Sequence, residues 1–317
     1  MAHLVLNGGK ITLDPTPTFI KGSREEEYYW SKEIEKWIIG VTDWGISGIH
    51  YFYLTMGALS SISGQRIKPY WRDGDAAVLD FYNDCILEHK NGVWLAWRGM
   101  GKSSIGVGLI PCYNAKINTG CSQTITTISN KLLESHYKKK VMPFLRNMKK
   151  EGRIPQEIYD NDSTQIIIKD KTERNEDYEP SIIHFKQTSS DLKAVQSLEG
   201  DRTFFICLDE YFNHPYSKEV LASSEACTTE QGEKIGTILC VGSCNDINKE
   251  GVQRFKDLKS KALQDDSFLF HLTYGDTCRS GFMEDGVSDY LKAAEYVRNK
   301  SEKYRDIGDF FNYNQWR

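Results

Sequence analysis

The run Val93-Trp94-Leu95-Ala96-Trp97-Arg98-Gly99-Met100-Gly101-Lys102-Ser103-Ser104 passes from an apolar, β-prone segment into a glycine-containing turn, a lysine and two hydroxyl residues. The apolar, glycine-spaced residues from Ile105 to Ile110 then read as the start of a helix. Strand, turn and helix in that order make a phosphate cradle. The amides of the turn and of the helix N-terminus converge on one spot, where they bind phosphate oxygens. Lys102 reaches the β- and γ-phosphates of a nucleotide, and Ser103 is placed to ligate Mg²⁺. Of the general pattern G-x-x-x-x-G-K-[ST], Gly101, Lys102 and Ser103 fit, and Ala96 stands at the first glycine.

A second segment supplies the acids. Thr203-Phe204-Phe205-Ile206-Cys207-Leu208-Asp209-Glu210 is an apolar strand that ends in two adjacent carboxylates. Apolar residues on both faces predict a strand buried within a parallel sheet, and the C-terminal edge of such a sheet is where ligands bind. Asp209 is expected to hold the metal through water, and Glu210 to orient and deprotonate the attacking water.

Working outward, the 317 residues suffice for one large α/β domain with accessory segments or for two small domains. Apolar residues make up 39% and charged residues 26%, which excludes a disordered chain. A formal net charge of -4 means that any nucleic-acid contact comes from local basic patches. The eight cysteines form no C-x-x-C pair, and Cys207 and Cys240 lie in apolar strands, so free buried thiols in a reducing compartment are expected. The histidines are dispersed; His184 and His271 sit in strand-like runs and read as packing residues. No leader-like segment and no run of eighteen apolar residues is present, which predicts a protein working inside a cell.

Met1 to Ser23 reads as an extended arm, Glu25 to Gly40 as an aromatic helix, and Ile49 to Leu59 as a second aromatic helix or strand. A polar turn region, Gln65 to Asp75, precedes a helix over Ala76 to Glu88. The core then alternates: strand Val93–Trp97, helix to Ala115, strand Gln123–Ile128, helix Asn130–Lys150, a strand with a charged hairpin insertion over Ile166–Glu179, and strand Ser181–Lys186. After the acid-bearing strand come strands Ile235–Val241 and Phe268–Thr273 and a helix Tyr290–Tyr304. Strands alternating with helices predict an α/β fold, a mostly parallel central sheet flanked by helices. Expected boundaries are 1–66 for the arm and a small aromatic-rich helical subdomain, 67–273 for the core and 274–317 for a C-terminal helical lid or linker.

These motifs resemble those of the large terminase subunit of tailed bacteriophages, a DNA-packaging motor ATPase with a P-loop fold of the ASCE type. That family carries a modified loop, arginine-x-x-glycine-lysine-serine/threonine, matched by Arg98, Gly101, Lys102 and Ser103. Its strand ending in Asp-Glu is matched by Asp209 and Glu210, and the glycine before it by Gly200. Its coupling motif is similar to Gly242-Ser243-Cys244-Asn245, with Cys244 where a second hydroxyl is usual. The family's adenine-proximal glutamine has no counterpart in Tyr70-Trp71-Arg72-Asp73; Trp71 or Arg72 is left to stack on a base.

The resemblance implies ATP and Mg²⁺ as ligands, with Arg98, Gly99, Met100, Gly101, Lys102, Ser103 and Ser104 around the phosphates. It implies Ser103 and Asp209 on the metal, Glu210, Lys102 and Arg98 in catalysis, and Ser243, Cys244 and Asn245 in coupling. It further implies double-stranded DNA, a portal or procapsid and a small terminase subunit as partners, assembly as a homo-oligomeric ring, and work in the cytoplasm of an infected bacterium. An arginine from a neighbouring subunit completes such rings, with Arg146, Arg153 and Arg202 as candidates. Lys138, Lys139, Lys140, Lys149, Lys150 and Arg153 form the densest basic cluster for DNA phosphates. The family's nuclease domain has no room after the last core strand, so no nuclease activity is expected of this chain. Two other readings stay open: a helicase-like, nucleic-acid-stimulated ATPase, and a non-catalytic assembly subunit that uses ATP as a switch.

Overall fold

Three segments that are apolar on both faces form the middle of an eight-stranded sheet. In this computed structural model the structure describes residues 5–7, 10–12, 17–60, 65–96, 100–118, 120–150, 156–162, 164–170, 179–188, 192–196, 198, 202–243, 250–273, 283–284, 286–293 and 295. The strands of the main sheet are β1 (Asn91–Ala96), β2 (Ser122–Thr127), β3 (Gln156–Asp162), β4 (Gln165–Asp170), β5 (Ser181–Gln187), β6 (Phe205–Asp209), β7 (Thr237–Gly242) and β8 (Phe268–Thr273). Their order across the sheet is β8-β1-β7-β6-β2-β5-β4-β3. Every pair from β8 to β5 is parallel, and β4 and β3 continue the sheet antiparallel. The expected α/β class and mostly parallel sheet are therefore present. The strand expected at Ile166 is β4, which pairs antiparallel with β5 on one side and, on the other, with β3, a strand whose acids and amides hide it in the sequence; residues 171–178 of the expected charged loop lie outside the described residues.

The helices are α1 (Arg24–Ile39), α2 (Gly48–Met56), α3 (Asp73–Leu87), α4 (103–117), α5 (130–150), α6 (Leu192–Gln196), α7 (Ser217–Cys227) and α8 (Glu250–Asp265). Period-two alternation in the central strands splits the interior in two. Trp94, Ala96, Phe205, Cys207, Leu239 and Val241 face one cluster, with Ile105 and Leu109 of α4 and Trp37, Tyr51 and Phe52 of α1 and α2. Val93, Leu95, Ile206, Leu208, Ile238 and Cys240 face the other, with Val220 and Leu221 of α7 and Phe255 and Leu258 of α8. Each large aliphatic or phenylalanine side chain among them is worth about 1.5–3 kcal/mol on burial, so both faces pin the register.

The aromatic N-terminal part is helical in both expected places. Ser23 caps α1 by accepting from the Glu26 amide at 3.2 Å, while Glu26 accepts from the Gly22 amide at 2.6 Å, a reciprocal cap. Gly40, at φ 84°, ends it. Trp37 Nε1 donates to Thr55 Oγ1 at 3.1 Å and the Tyr51 hydroxyl to Glu33 Oε2 at 2.8 Å, locking α1 to α2. The Tyr113 hydroxyl donates to the Trp37 carbonyl and Asn147 to the Met56 carbonyl, tying that pair to α4 and α5. Within the expected arm, Val5–Asn7 and Lys10–Thr12 pair as a short hairpin. Of the expected terminal helix, 290–293 is helical, and 296–304 lies outside the described residues.

Candidate nucleotide site

The site is built at the C-terminal edge of the three central strands. Parallel register sets Trp94 of β1, Val241 of β7 and Asp209 of β6 in one row, so Ala96, Gly242 and Asp209 end their strands on the same side. β7 alone lies between the strand that leads into the lysine loop and the strand that carries the acids. The sequence-distant motifs are thus brought to one edge.

From that edge the chain enters α4. Lys102 is only 8% exposed, and its ammonium donates to the Ala96 carbonyl at 2.8 Å, back across the turn it follows. Gly101 holds φ 85°, a conformation that a side chain would strain, and a Cβ placed there would meet nothing within 4 Å among the described residues. Backbone bare of a Cβ at this turn fits the close approach of a phosphate. The amides of Ser104 and Ile105 both donate to the Gly101 carbonyl, closing the first turn. The amides at this helix N-terminus stand where a helix suits an anion. Trp97, Arg98 and Gly99 lie outside the described residues, as do Gly200, Cys244 and Asn245.

Asp209 is 3% exposed, and its Oδ2 lies 2.7 Å from His136 Nε2 of α5. Glu210 takes φ 58°, the left-handed region that a non-glycine residue enters at a cost of about 1–3 kcal/mol. Its Oε2 accepts from Asn213 Nδ2 at 2.8 Å, and the same amide nitrogen lies 3.5 Å from the Ser243 carbonyl. Asn213 thereby joins the expected base to the described part of the expected coupling motif. Gly242 makes this possible: a Cβ there would sit 2.7 Å from Phe212 Cδ2. Gly242→Ala is expected to cost about 1–3 kcal/mol by overpacking, read as a lower urea midpoint at unchanged slope; an unchanged midpoint would mean that the ring turns aside.

Mg²⁺ takes hard oxygen ligands, usually one or two carboxylates with substrate phosphates. The Ser103 hydroxyl and the Asp209 carboxylate are such donors at the same edge, so the residues fit the ion. Among the described residues no three His, Cys, Asp or Glu side chains cluster to hold a metal by themselves.

His214, which the sequence did not single out, and several residues that it did single out complete the surroundings. His214 Nδ1 accepts from the Tyr216 amide at 3.0 Å, so the proton is on Nε2, which donates to Thr188 Oγ1 at 2.8 Å. Burial, assisted by Arg254, lowers the pKa of His214 to about 4 and keeps it neutral. Lys140 corrects an expectation: it leaves the basic cluster and turns inward, donating to Ser104 Oγ at 3.0 Å. Burial lowers its pKa, and the charge of Asp209 opposes that shift. Lys138, Lys139 and Arg146 remain exposed, Lys138 paired with Glu134, while the side chains of Lys149 and Lys150 and all of Arg153 lie outside the described residues. Arg202 is paired with Glu230. Arg72 is held bidentately by buried Asp75 at 2.7–2.8 Å and sits over Tyr70, so its guanidinium is engaged within the fold. Trp71 is covered by the hairpin turn at Gly286, whose Cβ position would lie 2.9 Å from the indole. The six described cysteines are free and buried, and burial pushes the Cys207 and Cys240 thiols up.

No family model and no curated protein sequence matches this chain. Among solved structures it is similar to the large terminase of bacteriophage HK97, at 12% identity over 82% of this chain and 52% of that one, with a TM-score of 0.51. Similarity extends to the large terminase of a thermophilic bacteriophage in complex with ADP, at 13% identity over 75% and 52% of the two chains and a TM-score of 0.49. It extends also to a mutant ATPase domain of the Thermus phage P74-26 large terminase, at 12% identity over 70% and 87% and a TM-score of 0.47. The chain spans about half the length of the first two proteins. At such identities the likeness is one of architecture, carried by the HK97 protein: this chain shares the fold of about half of a phage large terminase.

Proposed function

We propose that this chain is a Mg²⁺-dependent ATPase whose turnover drives double-stranded viral DNA into a procapsid. The supporting observation is that Lys102 at the end of β1 and the Asp209-Glu210 pair at the end of β6 share one sheet edge with a single strand between them. In this reading the 98–104 loop, Arg98, Gly99, Met100, Gly101, Lys102, Ser103 and Ser104, wraps the triphosphate, and Lys102 exchanges its Ala96 carbonyl for phosphate oxygens. Ser103 would hold the ion directly and Asp209 through water, and the ion would neutralise charge on the transferring phosphoryl group. Glu210 takes the proton of the attacking water, and its left-handed backbone and Asn213 amide fix where that carboxylate stands. Arg98 stabilises the γ-phosphate in cis. Ser243, with Cys244 and Asn245, passes the loss of that phosphate onward, and the Glu210-Asn213-Ser243 connection is a physical route for it.

The proposed partners are double-stranded DNA, a portal or procapsid and a small terminase subunit, with the chain assembled as a ring in an infected bacterial cell. Glu210 beside Asp209 favours hydrolysis over a binding-only switch, because a switch needs no base. Phosphate release from ATP, measured with and without double-stranded DNA at low salt, tests the reading. Turnover stimulated by duplex and lost as salt rises is expected. ATP bound without turnover would favour the switch, and stimulation by single strands alone would favour a helicase-like enzyme.

A further inference from the structure

α5 touches the candidate site twice, and neither contact is accounted for by the loop and acid motifs. The helix leaves the C-terminal end of β2, the strand paired with β6 through Thr126 and Leu208, so its start lies one strand from Asp209. Ser129 caps it, accepting from the Leu132 amide at 3.3 Å. Leu133, His136, Tyr137 and Val141 then form its buried stripe, with Tyr137 edge-on to Phe185 at 5.6 Å. A histidine on this apolar stripe, His136, is 4% exposed and, among the described residues, bonds through one nitrogen. An ionised carboxylate only accepts, so the shared proton sits on Nε2 and His136 donates to Asp209 Oδ2. Its Nδ1 is buried with no hydrogen-bond partner among the described residues, a cost of about 1–3 kcal/mol that an apolar side chain would avoid.

The helix is also fixed in place one turn later. Between Tyr137 and Val141 it widens to i→i+5 hydrogen bonding, with the Met142 amide donating to the Tyr137 carbonyl. α4 widens likewise over Ser103–Leu109, with the Ile110 amide donating to the Ile105 carbonyl. The two widened stretches pack together: a Cβ on Gly108 would lie 3.1 Å from the Lys140 carbonyl, and Lys140 Nζ reaches Ser104 Oγ at 3.0 Å. Such widened turns gather at functional sites. α5 is thus anchored on the loop helix by Lys140 and on the acid strand by His136.

We propose that His136 is a positioning residue for Asp209: it holds Oδ2 and thereby leaves Oδ1 as the oxygen available to the water shell of the metal at the nucleotide site. The inference rests on the ATPase reading. A carboxylate held at one oxygen by a fixed donor presents the other in a single orientation, so the hydrated metal would meet a preorganised acceptor rather than a rotating one.

The test is a titration of a fluorescent ATP analogue into the full chain across a Mg²⁺ series and in chelator. Thermal melting serves as the check on folding, and steady-state turnover is measured alongside. His136→Phe keeps the ring and removes the donor; His136→Gln keeps a donor at similar reach. For His136→Phe, the Mg²⁺ needed for half-maximal binding is expected to rise about 10-fold, with metal-free nucleotide affinity unchanged and kcat reduced more than KM is altered. His136→Gln should recover most of the wild-type Mg²⁺ dependence. If His136→Phe does not fold, His136→Leu stands in its place in the same comparison. An apolar variant that folds and keeps the wild-type Mg²⁺ dependence overturns the assignment, as does a glutamine variant no better than the apolar one. Wild-type protein that binds no Mg²⁺-nucleotide removes the ATPase reading itself, a result distinct from either of these.

Discussion

Lys102→Ala is expected to bind Mg²⁺-ATP roughly 10- to 150-fold more weakly than the wild-type chain and to show no measurable turnover. The ammonium is nearly buried and already directed at the Ala96 carbonyl, 2.8 Å away, so its removal takes a preplaced cation from the loop without touching the apolar core. Charge-assisted hydrogen bonds are worth about 1.5–3 kcal/mol each, and the loss of affinity follows from that range. Isothermal titration with ATP checks the binding, and the urea midpoint should be unmoved or slightly raised, because a buried ammonium is costly to desolvate. Wild-type affinity in a folded Lys102→Ala variant would mean that the loop holds no phosphate.

Glu210→Gln carries the second large effect, and it separates binding from chemistry. The substitution is isosteric, and a glutamine oxygen still accepts from Asn213 Nδ2. The amide cannot take a proton from water, so turnover should fall by about 10²- to 10⁴-fold while nucleotide affinity stays near wild type. Single-turnover phosphate release places the loss on the chemical step. Near-normal turnover would assign the base elsewhere. Because Glu210 sits at φ 58°, Glu210→Gly offers a companion measurement: it relieves backbone strain and should raise stability while abolishing turnover.

The parts of this architecture that were legible in the sequence are those with an unbroken physical signal. β1, β6 and β7 are apolar on both faces, and such runs demand cover on both sides; for β6 that signal marks a strand buried in a parallel sheet with its acids at the ligand edge, and the fold adds β1 and β7 beside it. The Gly101-Lys102-Ser103 turn and the Asp209-Glu210 pair announced themselves by residue type, and the fold brings them to one edge. His136, Asn213, Lys140 and His214 were not legible because each acts through a contact made across the sheet edge. His136 did leave a trace, as a polar residue within the stripe Leu133, Tyr137 and Val141. Lys140 misled because charge runs look alike whichever way a side chain turns; here the widened helical turn rotates it toward Ser104 and leaves Lys138 and Lys139 outside. α7 and α8 were missed for a simpler reason: their polar faces dilute the apolar period, and only Val220, Leu221, Phe255 and Leu258 reveal which side packs.

The strand order has a kinetic corollary. β1 lies between β7 and β8, and its contacts close very long loops: the Asn91 side chain accepts from the Ile238 amide 147 residues away, and Trp94 Nε1 donates to Thr273 across 179. During synthesis, the lysine loop emerges behind a strand whose neighbours on either side are still to be translated. Local helices can form early, but such distant pairings pay their chain-closure entropy first and form slowly. Binding competence in the nascent chain therefore arrives late and abruptly, when β7 slots between β1 and β6, and until then the apolar strand is a natural client for holding chaperones.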